Sequence, residues 1–193
     1  MNIESNQKQF LDDMSSFKHD LMSVLKSEST EKYREEYKGR YSPERFKEFF
    51  VEKAALHIIF KYTLIRMVEE SMALVNMKLN DKGIENWHGM SKNYRKDYNV
   101  LYEIAVNDVK REKDVAEIFS DTVFDEKHFV DRTEKVLMKH IPILAKYEFK
   151  TLSASMTLSL IDYLYNTEKR EELQNFYQTS PVLDFLLQQV GLL

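Results

Sequence analysis

Apolar side chains recur every three to four residues along most of the chain, and this spacing predicts amphipathic helices. The first stripe runs from Phe10 to Leu25, and a short charged helix, EKYREEYKG, is expected to end at Gly39. The longest helix is expected to begin at Ser42-Pro43, a hydroxyl residue before a proline, and to continue to Val75. Its middle, ALHIIFKYTLI, is apolar on nearly every side, which predicts a central helix.

The second half of the chain continues the helical pattern. Further helices are predicted over residues 94–109, 114–119, 129–144, 156–165, 167–173 and 181–190. The last of these has Ser180-Pro181 at its start and Gly191 at its end. The segment NDKGIENWHGMSK holds two of the four glycines and the only tryptophan, and residues 80–91 are predicted to be irregular.

No segment alternates as a strand does, so the predicted fold class is all-α. The expected architecture is a single multi-helix domain over residues 1–174, with one long central helix. Residues 175–193 are expected to form a junction segment with a short C-terminal helix that leads toward another domain.

Composition narrows the function classes. The chain has no cysteine, which excludes disulfides, thiolate nucleophiles and thiolate zinc sites. It has neither an apolar run long enough to cross a membrane nor the layout of a signal peptide, so a cytoplasmic protein without a membrane partner is expected. The net charge is −4, whereas nucleic-acid-binding domains usually carry a basic excess. Any DNA contact is therefore expected from a local patch.

The candidate DNA contacts are three cations, Lys92, Arg95 and Lys96, in the stretch SKNYRKDY. They alternate with Tyr94 and Tyr98, and cations with aromatic side chains are typical of a surface that contacts phosphates. The alternative is that the tyrosines belong to the apolar stripe of a helix, with the cations on its solvated side.

Other polar residues give no catalytic or metal site. The histidines lack the spacing and carboxylate partners of a metal site, and adjacent carboxylates such as Glu69-Glu70 point in different directions on a helix. His57 lies in an apolar stretch and is predicted to be a core histidine with satisfied polar atoms. Trp87 either projects toward DNA or a partner, or folds back onto the core, as tryptophan more often does.

The C-terminal part has a more specific pattern. From Tyr147 it reads YEFKTLSASMTLSLIDYLYNTEKREELQNFYQTSPVLDFLLQQVGL. This resembles the junction between the helical N-terminal domain and the catalytic domain of adenine-specific DNA methyltransferases of restriction–modification systems. That family has an acidic-acidic-Arg run, then Gly-x-Phe-Tyr-Thr-Pro, then a Val-Val-Asp-Phe-Ile-Leu helix. The matching positions are Glu168, Arg170, Leu173, Phe176, Tyr177, Val182, Leu183, Asp184, Phe185, Leu186 and Leu187.

The resemblance implies S-adenosylmethionine as the cofactor of a full-length enzyme. Tyr177 is the implied cofactor contact, while Gln178 replaces the family threonine that helps to hold the cofactor. Phe176, Phe185 and Leu186 are the implied docking residues for a catalytic methyltransferase domain or another restriction–modification subunit. An exposed apolar patch of this kind also predicts self-association.

Two motifs of the implied catalytic domain, a glycine-rich turn and an Asn/Asp-Pro-Pro-aromatic loop, have no counterpart in this sequence. No catalytic residue, metal site or activity is therefore expected for this chain alone. The expected function is architectural: to support the catalytic domain and help to bound the DNA cleft in a restriction–modification or phage-defence system. The alternative is a stand-alone helical protein–protein interaction module derived from such a domain, which the acidic charge and Gln178 favour.

Overall fold

The computed structural model describes most of the 193-residue chain. The described ranges are 1–27, 30–35, 40–71, 77–90, 97–113, 115–165, 170–174, 176 and 180–191. The α-helices found there are α1 (Gln7–Leu25), α2 (Glu31–Arg34), α3 (Pro43–Ser71), α4 (Asp81–Met90), α5 (Tyr98–Val109), α6 (Lys127–Leu144), α7 (Ala154–Leu164), α8 (Arg170–Gln174) and α9 (Pro181–Gln189). Three short 3-10 helices span 4–6, 123–125 and 149–151, and the described residues contain no β-strand. The predicted all-α fold is confirmed.

Helix α3 is the centre of the fold, as predicted. It has 29 residues, begins with the Ser42 hydroxyl accepting a hydrogen bond from the Arg45 amide at 3.2 Å, and is buried on nearly all sides. α1, α5, α9 and the turn at 149–151 pack around it. Charged residues lie within its apolar run, and none of the described helices is both long and apolar enough to span a bilayer.

Aromatic rings fill the contacts between α1, α3 and the turn after α6. The ring of Phe10 packs edge-on against Tyr147 at 5.1 Å and against Phe149 at 5.7 Å, measured between ring centroids. The Tyr147 hydroxyl donates a hydrogen bond to Asp13 at 2.7 Å. The amide of Glu148 donates to the carbonyl of Met1 at 2.9 Å, so the start of the chain is fixed to this turn.

The prediction of an irregular segment at residues 80–91 is wrong, because most of it forms α4. Asn80 caps this helix: its side-chain oxygen accepts a hydrogen bond from the amide of Gly83 at 2.8 Å. A Cβ atom on Gly83 would lie only 2.3 Å from the carbonyl oxygen of Lys78. Gly83 is therefore present because the preceding backbone comes very close to α4, and its presence does not signal an irregular loop.

Two helix predictions also needed correction. Residues 115–119, predicted as a helix with Asp114, form hydrogen-bonded turns, and the described part of the predicted helix 94–109 begins at Tyr98. The helix predicted after Ser180 is confirmed as α9, in which Ser180 is the N-cap and Pro181 the first residue. Gly191 follows it with a φ of 72°, a left-handed conformation that glycine adopts without strain.

The two glycines of α4 provide a matched test of this packing. Gly83→Ala should destabilise the protein by about 1–3 kcal/mol, because the new methyl group would overlap backbone atoms of Lys78. Gly89→Ala places its methyl group in open space and should stabilise the protein by up to about 1 kcal/mol through higher helix propensity. Urea denaturation of both variants measures the difference, and equal effects would contradict the close approach at Gly83.

Candidate functional site

Three nitrogen-bearing side chains lie along one buried face of α3. Lys53, His57 and Lys61 are spaced four residues apart, and each has at most 2% of its surface exposed. We call them the α3 polar stripe. Charged and polar groups are rarely buried unless they are partnered, so this stripe is the first place to look for chemistry.

His57 lies between a serine and an aspartate. Its Nδ1 is 2.7 Å from the Ser180 hydroxyl, and its Nε2 is 3.2 Å from the Asp125 carboxylate. The three residues are far apart in sequence, since 123 positions separate His57 from Ser180 and 68 separate it from Asp125. The Ser180 hydroxyl also accepts a hydrogen bond from the Leu183 amide at 3.4 Å, which caps α9.

The hydrogen-bond partners fix the tautomer of neutral His57. An ionised carboxylate only accepts hydrogen bonds, so Nε2 carries the proton and donates it to Asp125. Nδ1 then accepts a hydrogen bond from Ser180. Burial lowers the pKa of His57, which favours this neutral form, and the hydrogen bond to Asp125 partly opposes the shift.

The Ser180–His57–Asp125 arrangement differs from a hydrolytic triad in two respects. In such triads Nε2 faces the serine and Nδ1 faces the aspartate, whereas here the two nitrogens are exchanged. In addition, the exposed surface is 0% for Ser180 and 1% for His57, so no substrate can reach the hydroxyl in this conformation. The arrangement therefore fastens α9 to α3. The prediction that His57 is a satisfied core histidine is confirmed.

Asp125 holds the other end of this network. Lys61 Nζ donates to its carboxylate at 2.5 Å, and the amide of Thr122 donates to the same carboxylate at 2.8 Å. Burial by itself would raise the pKa of Asp125, but the hydrogen bond from His57 and the charge of Lys61 outweigh it and hold the pKa well below its usual range. Asp125 is thus an anion that neutralises Lys61 and accepts from His57.

Lys53 completes the stripe by binding the segment before α9. Its Nζ donates to the backbone carbonyl of Phe176 at 2.5 Å. Burial lowers the pKa of Lys53 to about 8, and the nearby charge of Asp184 offsets only part of this effect. The ring of Phe176 packs edge-on against Phe46 and Tyr41, with centroids 5.1 and 5.3 Å apart.

Phe176 and Leu186, two of the predicted docking residues, are not exposed on the surface of this chain, so their docking role stays a prediction. Their exposed surface is 0% and 1%, because both pack into the core of this chain. Phe185, the third predicted docking residue, is partly buried and packs against the same core. The buried residues of α9 therefore lie on α3.

The remaining predicted site residues, Tyr177, Lys92, Arg95 and Lys96, lie outside the described residues. Three cavities are prominent on the described part of the surface, and none of them is lined by a described residue of 170–191.

One of these cavities is a mainly apolar groove between α4 and α5, with a volume of about 550 Å³. We call it the α4 groove. It is lined by Met77, Lys78, Lys82, Gly83, Asn86, Trp87, Met90, Leu101 and Ile104. Met90 is 74% exposed and Met77 is 36% exposed, whereas Trp87 is half-buried and packs against the core.

Two contacts hold the walls of the α4 groove in place. His88 Nε2 lies 2.8 Å from the Tyr98 hydroxyl, which joins α4 to α5. The carboxylate of Glu69 accepts hydrogen bonds from the amides of Lys78 and Leu79 at 2.9 and 3.2 Å, which fixes the chain before α4 to α3. Periodicity does not predict this groove, because the glycines within residues 80–91 indicate an irregular segment and not the helix α4 that forms its wall.

The sequence signals that Asp125 and Ser180 are helix-capping residues, but it does not signal that both bind the α3 polar stripe. The spacing of Thr122 and Asp125 is that of a helix-capping pair, and Ser180 before Pro181 is a typical N-cap. Comparison with protein-family models, with curated proteins and with solved structures found no match to this chain.

Removal of the Asp125 charge tests the network. Asp125→Asn should destabilise the protein by about 3–5 kcal/mol at pH 7, because it leaves buried Lys61 without its counter-charge. Asp121→Asn is the matched control: Asp121 pairs with Lys110 at the surface, and its loss should cost at most about 1 kcal/mol.

The difference in unfolding free energy between the wild type and Asp125→Asn should depend on pH. The pKa of Asp125 is lower in the folded than in the unfolded chain, so the unfolded chain takes up the proton first as the pH falls. The stability advantage of the wild type over Asp125→Asn should therefore shrink below about pH 4, near the unfolded pKa. Urea denaturation at a series of pH values measures this, and a constant difference would exclude an ionised Asp125 in the fold.

Lys53 has a predicted pH dependence of the same sign, but at alkaline pH. Its folded pKa of about 8 lies below the unfolded value, so above pH 8 the folded chain loses its proton first and stability rises with pH. Relative to Lys53→Met, the wild type should gain roughly 2–3 kcal/mol between about pH 8 and 10.5. Lys135→Met, at an exposed position of α6, controls for the loss of a positive charge. If the unfolding free energies of the wild type and Lys53→Met changed in parallel with pH, a buried Lys53 amine with a lowered pKa would be excluded.

Proposed function

We propose that this chain is a non-catalytic helical protein–protein interaction module that binds its partner through the α4 groove. The observation that carries the proposal is the groove itself, where exposed Met77 and Met90 adjoin half-buried Trp87. Methionine and aromatic side chains are enriched at protein interfaces, and methionine adapts its shape to different partners.

The buried polar groups support a structural role for the centre of the molecule. The residues of the α3 polar stripe are bonded to Phe176, Ser180 and Asp125, and those contacts hold distant segments of the chain together. Within the described residues, no group of three or more His, Asp or Glu side chains could hold a metal. The three residues of the α3 polar stripe therefore find their hydrogen-bond partners within the fold.

The position of α9 supports a module that folds by itself. Val182, Leu183, Leu186 and Leu187 are all buried against this chain's own helices. An interaction module with a complete core needs a binding surface elsewhere, and the α4 groove is such a surface. We propose the cytoplasm as the compartment in which it acts.

The second candidate is the helical domain of an adenine-specific DNA methyltransferase, which would support the catalytic domain and help to bound the DNA cleft. The helix of the family pattern is present as α9, with Ser180 as its cap, and this favours the candidate. Several matching positions, however, are buried core positions at which packing alone requires apolar residues; they are Leu173, Phe176, Val182, Leu183, Leu186 and Leu187. In this candidate, Lys92, Arg95 and Lys96 contact DNA, and S-adenosylmethionine belongs to the enzyme's catalytic domain.

Titration of the purified chain with an adenine-containing DNA duplex, measured by fluorescence anisotropy from 20 mM to about 200 mM salt, separates the two candidates. If the chain is an interaction module, it should show no DNA binding that depends on the basic cluster formed in the sequence by Lys92, Arg95 and Lys96. The methyltransferase domain should show weak, strongly salt-dependent binding that the triple variant Lys92→Ala, Arg95→Ala, Lys96→Ala removes. Loss of binding in this variant would contradict the first proposal. Calorimetry with S-adenosylmethionine should give no heat of binding in either case, and measurable binding would overturn both proposals.

A further inference from the structure

We propose that the α4 groove binds an acidic amphipathic helix, with the apolar side chains of that helix against Met77, Trp87 and Met90. The carboxylates of the same helix would face Lys78 and Lys82 at the rim. This inference rests on the proposed function, because it specifies the chemistry of the partner that the interaction module binds.

The shape of the groove fits a helix. Its two walls are themselves helices, α4 and α5, and α5 contributes buried Leu101 and half-buried Ile104 to the apolar lining. Grooves between two helices commonly take a third helix, which inserts apolar side chains from one face. A volume of about 550 Å³ accommodates several such side chains, and the exposed methionines can adjust to them.

The charge at the rim specifies an acidic partner. The described lining contains two lysines and no Asp or Glu. Lys78 is paired with Asp108 at 2.6 Å, whereas Lys82 is exposed and has no ion pair with any described residue. The nearest carboxylates of α4, Asp81 and Glu85, lie outside the lining of this groove. The exposed amine of Lys82 is therefore available to a carboxylate of the partner, and opposite charges at a rim favour association.

The chain carries its own reporter for the experiment, because Trp87 is its only tryptophan and lines the groove. The probe is a helical peptide without tryptophan, with leucines at i, i+3, i+4 and i+7 and glutamates beside them. Its comparison peptide has lysines in place of the glutamates. The acidic peptide should shift the Trp87 emission in a saturable manner and bind at least about tenfold more tightly than the basic peptide.

Variants locate the binding site. Met90→Glu and Lys82→Glu should each weaken binding of the acidic peptide about tenfold or more, and Lys82→Glu should reduce its advantage over the basic peptide. Met138→Glu and Lys135→Glu are the matched controls, because both residues are exposed on α6 and line none of the three cavities. They should leave the affinity within about twofold of the wild type. Equal effects of the groove and control variants would overturn the proposal.

Two further measurements distinguish other occupants of the α4 groove from an acidic helix. A saturable shift of Trp87 emission with laurate below its micelle concentration, without a shift from either peptide, would replace the peptide partner with a small amphiphilic anion. Concentration-dependent dimerisation in the ultracentrifuge that Met90→Glu abolishes would identify a second copy of this chain as the occupant. Either result overturns the acidic-helix inference.

The test also separates this inference from the proposed function. If a basic or uncharged amphipathic helix binds best and Met90→Glu weakens it, the partner chemistry is wrong but the interaction module stands. If no helical peptide shifts Trp87 emission and the chain binds DNA through its basic cluster, the proposed function itself fails.

Discussion

The structure depends on the hydrogen bonds that satisfy the polar side chains buried along α3. A charge in a protein interior is costly unless a partner satisfies it, and α3 carries several such groups along its length. Each finds its partner in a different part of the chain: Lys53 at Phe176, His57 at Ser180 and Lys61 at Asp125. The central helix therefore specifies where these distant segments lie, in addition to supplying apolar surface for the core.

The C-terminal end of α3 extends the same constraint to the α4 groove. Buried Arg66 donates hydrogen bonds to the carbonyls of Leu79 and Tyr147, while Glu69 accepts from the amides of Lys78 and Leu79. These contacts fix the backbone before α4 against the central helix. Asn80 and Gly83 then allow α4 to begin in close contact with that backbone. The groove is thus built on the most buried element of the fold, which suits a binding surface that is formed before the partner arrives.

Periodicity was sufficient to predict the helical class and the central position of α3, because burial of an apolar stripe leaves a regular trace in the sequence. It failed at α4, where glycines that serve close packing resemble the glycines of a loop. It also gave no indication that His57, Asp125 and Ser180 associate, since their contacts span 68 and 123 positions. The sequence also could not show which way Phe176 and Leu186 face. The spacing of apolar residues is the same whether they face their own core or another protein.

That ambiguity also bears on the resemblance to methyltransferase helical domains. Apolar residues in a family pattern can be required for two reasons, packing within the domain and contact with its neighbour. In this chain the buried residues of α9 meet the first requirement, since they lie on α3 and the Ser180 cap is bonded to His57. Leu186 would have to leave the core to meet the second, which would also break the bond between Ser180 and His57 if α9 moved as a unit. Surface contact with a partner is less costly at the α4 groove, where Met90 is already 74% exposed and no core contact must be broken.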